Sequence, residues 1–176
     1  MTPSEFKRRR KQLMRMMGPG SIAILPTAPE AVRNRDVHHP FRPDSDFFYL
    51  TGFAEPASVA VLVPGRSGGE YVLFCRDRDP ERETWDGYRA GPEGAVKVYG
   101  ADDAFPIGDI DDILPGMLEH SERVYYTMGL NADFDQRLLG AFLLEARRPG
   151  AVFPRPLRQI PEVRQFRMHF YEVAQF

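Results

Sequence analysis

Cysteine is almost absent: Cys75 is the only one among 176 residues. A single thiol cannot close an intramolecular disulfide, so nothing in the sequence resembles the framework of a small secreted domain. Cys75 ends the apolar run Tyr71-Val72-Leu73-Phe74 and reads as an inert, partly buried thiol. Long apolar runs are also missing. None approaches the ~20 residues a membrane span needs, and the first residues lack the apolar core of a signal peptide. No membrane contact and a cytoplasmic location are expected. Charge of one sign is not in excess, since 23 basic residues face 25 acidic ones for a net charge of −2. That balance argues against a general nucleic-acid binder. The one basic cluster, Lys7-Arg8-Arg9-Arg10-Lys11, reads as the solvated outer face of a helix.

The patterns of metal and nucleophile chemistry are lacking too. The four histidines are His38, His39, His120 and His169. His38 and His39 are adjacent, and neighbours on extended chain point to opposite faces. There is no His-Glu-x-x-His and no cysteine pair. Asp44 and Asp46 could share a face but have no obvious partners, and Asp109, Asp111 and Asp112 look like the acidic start of a helix. No metal site is expected within this chain. Gly65-Arg66-Ser67-Gly68-Gly69 spells Gly-x-Ser-x-Gly, but a nucleophile elbow needs a strand before the serine and a helix after it. Here the run joins two strand-like segments and reads as a hairpin turn. A phosphate cradle fails for the same reason, because no helix N-terminus follows.

Core-forming material is plentiful: 43% of residues are hydrophobic, 12% are aromatic, and phenylalanine alone occurs 13 times. That suits one domain over residues 1–150. A helix is expected over 4–17 with Ser4 as N-cap, stopped by Gly18-Pro19-Gly20. Strands are expected at 21–25, 57–63 and 70–75, the last two forming a hairpin, and at 123–128. Residues 28–44 read as loop, and 46–53 as a dense aromatic run. Pro80 suits the first turn of a helix. Further helices are expected at 93–99, at 109–118 with an interruption at Pro115, and at 132–147 with Asn131 as cap. Strands alternating with helices make an α/β pattern with a mixed sheet. Residues 151–176, with Pro154, Pro156 and Pro161, read as a connector or an aberrant tail.

Several blocks, in order, resemble one family. Tyr49-Leu50-Thr51-Gly52-Phe53-Ala54-Glu55-Pro56 is similar to its aromatic-x-Thr-Gly-Phe-x-Glu-Pro segment. Phe41-Arg42-Pro43-Asp44-Ser45-Asp46-Phe47 resembles its aromatic-Arg-x-x-Ser-Asp-Phe. Phe6-Lys7-Arg8-Arg9-Arg10 resembles its opening helix, and Val72-Leu73-Phe74, Arg78-Asp79 and Glu83-Thr84-Trp85-Asp86-Gly87 also fit. These are hallmarks of the N-terminal domain of Xaa-Pro aminopeptidases (aminopeptidase P).

The resemblance implies a creatinase- and prolidase-like N-terminal fold, a mixed β-sheet flanked by helices. It implies a non-catalytic domain preceding a second domain, absent from this chain, in which two manganese ions drive hydrolysis. The bond cut would be the one before a proline in second position of a peptide. It further implies a homo-oligomer, with the N-terminal domain contributing to assembly and to walling in the active site. At the position of Trp85 the family carries a tryptophan that lines a substrate pocket, in some members that of a neighbouring subunit. An aromatic face suits a proline ring, and a core position is the alternative. Arg42 and Asp46 form a structural ion pair or face an interface. Thr51-Gly52-Phe53 fixes a turn, with Gly52 supplying its backbone conformation. The segment Arg164 to Glu172 departs from the family's entry into its catalytic domain. A stand-alone assembly module, or part of a prolidase-like dipeptidase, therefore stays open.

Overall fold

The computed structural model describes residues 2–34, 37–119 and 121–146. The connector or tail at 151–176 lies outside the described residues, as do His120 and His169. Helix α1 spans Pro3–Met17. It starts one residue earlier than Ser4 capping predicts, because Pro3 takes the first helical position, where its fixed φ fits and no N–H is missed. Thr2 is the N-cap, and its N–H donates to Glu5 Oε2 at 2.7 Å.

Five strands form the main sheet: β1 (Ser21–Pro26), β4 (Val59–Leu62), β5 (Tyr71–Cys75), β6 (Asp103–Pro106) and β7 (Arg123–Tyr125). Their order is β6-β5-β4-β1-β7. β4 runs antiparallel to both β1 and β5, while β7 pairs parallel with β1 and β6 parallel with β5. The sheet is therefore mixed, as expected. Its central strands are buried on both faces, which is why they read as unbroken apolar runs rather than alternating ones. Successive side chains go to opposite sides. Ala23 and Leu25 of β1 join a cluster with Leu13, Met14 and Met17 of α1, Phe47 and Leu50 of α2 (Ser45–Thr51), and Ala95 of α4 (Gly91–Lys97). Ile22 and Ile24 join a second cluster with Ile110, Leu114 and Leu118 of α5 (Ile110–Leu118) and Phe134 and Leu138 of α6 (Ala132–Ala146). Helices thus cover both sides.

The structure corrects the sequence reading in four places. The stretch 28–44 is not all loop: β2 (Val32–Asn34) and β3 (Val37–His38) pair antiparallel. The aromatic run after Asp44 is helical, because Asp44 Oδ1 accepts from the backbone N–H groups of Asp46 and Phe47 at 2.9 and 3.1 Å. Pro115 does not interrupt α5, which continues to Leu118. The intrahelical bond it removes is to the carbonyl of Asp111, in the helix's exposed first turn. Strand β6 was not legible at all. It is a half-buried edge strand whose identity comes from pairing with β5.

The basic cluster is also divided. Lys7, Arg8 and Lys11 are exposed as expected, but Arg10 is only 3% exposed. Its Nη1 donates to Leu50 O at 2.9 Å and its Nη2 to Gly100 O at 3.3 Å. Arg9 lies flat on Tyr49, 4.0 Å from the ring centre, and donates to Tyr49 O at 3.1 Å. Both arginines therefore satisfy carbonyls at the end of α2, where the helix leaves acceptors without intrahelical donors.

Candidate functional site: the Trp85 arm

Between β5 and α4 the chain leaves the sheet, forms a short helix α3 (Pro80–Asp86), and returns. The local code is legible. Asp79 caps α3, its Oδ1 accepting from the N–H groups of Glu81 and Arg82, each at 3.2 Å. Pro80 occupies the first turn. Arg78 Nε donates to Glu83 Oε1 at 3.3 Å, and Gly87 ends the helix at φ 83°.

None of the described side chains of α3 is buried. Trp85 is 87% exposed and Tyr88 65%. Trp85 therefore has no place in this domain's own core. Its indole face is left open to solvent and available for contact. Arg78 lies 5.8 Å from the centre of the Tyr88 ring, which adds a cation to the same surface.

The family-like block at 49–56 builds the base of this arm. Thr51 Oγ1 donates to Phe47 O at 2.8 Å and accepts from Phe53 N–H at 3.0 Å. Gly52 caps α2 in the left-handed region at φ 66°. A Cβ there would lie 2.5 Å from Phe6 Cε2, so the position needs glycine on two counts. The turn delivers Glu55 to the arm. Its Oε1 accepts from Ala90 N–H at 2.7 Å, and its Oε2 lies 3.7 Å from Arg76 Nη2. At that distance Arg76 is a Coulombic partner rather than a hydrogen-bond donor. Glu55 stands in the quoted block, yet the sequence carried no signal of its role, because its partners lie 21 to 35 positions away.

Arg42 is exposed in the irregular segment before α2. Asp46 lines a cleft with Asp44, Thr27 and Asn131 beside the carboxyl end of β1. Its volume, about 220 Å³, is below the ~300 Å³ at which ligand pockets begin.

Metal ligation has no basis in this set. Among the described residues no three His, Cys, Asp or Glu side chains come together as a metal would require. Asp44, at the cleft, and Glu55 and Asp79, at the arm, already accept backbone N–H groups. The residues here do not fit a manganese pair. Cys75 is fully buried, and burial foremost, then the Glu55 carboxylate, pushes its thiol up to about 12. It is therefore no nucleophile at neutral pH. Gly65–Gly69 is the turn of the β4–β5 hairpin, which leaves Ser67 without an elbow.

The pattern of the family described as "Aminopeptidase P, N-terminal domain" matches residues 6–126. An Xaa-Pro aminopeptidase of Escherichia coli is 39% identical over 148 residues, covering 84% of this chain and 33% of that protein. The human Xaa-Pro aminopeptidase 3 is 33% identical over 134 residues, covering 69% of this chain and 26% of that protein. The solved structure of aminopeptidase PepP from Pseudomonas aeruginosa superposes with a TM-score of 0.84 at 62% identity. It covers 88% of this chain and 36% of the other. The chain thus spans about a third or less of the relatives named. A mixed sheet between helices and a family pattern that matches residues 6–126 place this chain in the aminopeptidase P N-terminal domain family.

Proposed function

We propose that this chain is the non-catalytic N-terminal module of an Xaa-Pro aminopeptidase, and that its Trp85 arm walls a peptide-binding site formed elsewhere in the assembly. The observation that carries the reading is the 87% exposure of Trp85 on a helix, α3, that buries none of its described side chains. An indole face in that position can pack on the ring of a second-position proline. The surface of Trp85, Tyr88 and Arg78 suits contact with a neighbouring subunit, so homo-oligomerisation belongs to the same proposal. The parent enzyme would release the residue preceding proline, using two manganese ions held by residues outside this chain. Among the described residues no helix is long and apolar enough to cross a membrane. A buried free thiol and no disulfide suit a reducing, cytoplasmic compartment.

The test has two arms. The 176-residue chain, given Mn²⁺ and an Xaa-Pro peptide, should show no turnover; robust metal-dependent cleavage would overturn the non-catalytic part. In a protein carrying this domain with a metal-binding half, Trp85→Ala should lower kcat/KM. It should change stability by no more than about 0.5 kcal/mol, as expected for an exposed side chain. Unchanged kinetics in that variant would remove the substrate wall.

A further inference from the structure

No described side chain of α3 is buried, so packing enters the arm only at its root, where Arg89 and Ala90 are buried. Its internal contacts, the Asp79 cap and the Arg78–Glu83 pair, hold its shape but not its direction. We propose that Glu55 is the positioning residue of the Trp85 arm, a single carboxylate that clasps both limbs where they leave and rejoin the domain. The departing limb offers Arg76, 3.7 Å from Oε2; the returning limb offers Ala90 N–H, 2.7 Å from Oε1. The Glu55 and Arg76 side chains are only 12% and 18% exposed. Water therefore competes weakly for the pair, and the bond to the charged acceptor is stronger than a surface one.

A second feature closes the same base. Gly91, at φ 64°, brings the returning limb against Arg78: a Cβ on Gly91 would lie 3.2 Å from Arg78 Cβ and 3.3 Å from Arg78 N. The limbs touch there, so a small rotation at Glu55 is carried outward to Trp85. Glu55 is itself fixed by the α2 cap, through Thr51 Oγ1, Phe53 N–H and the left-handed Gly52. The block at 51–55 thus controls a tryptophan thirty positions further on, without touching it.

The inference rests on the proposed function only for the arm's purpose; the clasp itself can be tested without substrate. Trp85 is the only tryptophan in the chain, so intrinsic fluorescence reports the arm alone. In folded Glu55→Ala, Trp85 anisotropy should fall. The Ala90 amide should exchange faster by about tenfold or more, the factor for losing one hydrogen bond to a charged acceptor. Glu55→Gln keeps an acceptor for Ala90 N–H and should restore most of that protection. Unchanged anisotropy and exchange in folded Glu55→Ala would overturn the clasp. Should that variant not fold, Arg76→Met and Glu55→Asp decide it: a loosened Trp85 in either supports the clasp, and no change in both overturns it. A loosened arm with unaltered peptide kinetics in the larger enzyme would leave the clasp standing and remove the substrate wall instead.

Discussion

The guanidinium carbon of Arg10 lies 3.9 Å from the centre of the Tyr71 ring. The contact joins α1 to strand β5 through a charge that is almost wholly buried. Burial lowers the Arg10 pKa, while Tyr71 and Asp102 oppose that shift. Burial likewise raises the Tyr71 pKa, with Arg10 opposing. The pair persists because the guanidinium also has two carbonyls to donate to, which offsets its desolvation.

Arg10→Ala should therefore lower unfolding free energy by about 2–4 kcal/mol, from two lost bonds to a charged donor and a cavity. Arg8→Ala, on the exposed side of the same helix, should stay within about 0.5 kcal/mol. Urea denaturation of the two variants checks the contrast. Similar losses would refute the inward role of Arg10.

Gly52→Ala combines a left-handed φ of 66° with a Cβ 2.5 Å from Phe6 Cε2. The backbone part alone costs about 1–2 kcal/mol, and the contact adds to it. In a Phe6→Leu background the extra part should shrink. A double-mutant cycle with clear coupling confirms the contact, and additive losses would contradict it.

Alkaline pH should unfold the protein more readily. The Cys75 pKa rises from 9.0 to about 12 in the folded state, chiefly through burial. A group raised on folding contributes fully below its unfolded pKa and loses that contribution as pH climbs toward the folded one. Stability should thus hold to about pH 9 and then fall by up to about 1.4 kcal/mol per unit for each such group. Tyr71 and Tyr126 are raised as well, both mainly by burial, so the fall should steepen above 10.0, their ordinary value. Urea midpoints measured across this window should flatten near its start in Cys75→Ala.

Asp44→Ala removes the cap of α2 and should cost about 1 kcal/mol, whereas Asp44→Asn should be close to neutral. Thermal melts would separate the two. An equal loss for both would mean that charge, not the capping geometry, matters at this end.

Features that depend on neighbours along the chain are legible in the residues alone. Unbroken apolar runs located β1, β4 and β5, because strands covered on both faces have no polar side to display. The glycine-rich run at 65–69 located their hairpin turn. Pro80 marked the start of α3. Asn131 was identified as a cap, and its Oδ1 does accept from Phe134 N–H at 3.1 Å. The ordered blocks between residues 6 and 87 pointed to the family. Contacts between positions far apart along the chain settle which of several like residues meets a partner. Arg10 turns inward while Lys7 and Lys11 stay in water, because Arg10, like Arg9, faces the end of α2. Trp85 is exposed because nothing in the described fold packs on α3. β6 exists because β5 offers an edge, and Glu55 gains its role from Arg76 and Ala90. Hydrogen bonds and burial are properties of pairs close in space, and a helical or strand period does not say which pairs those will be.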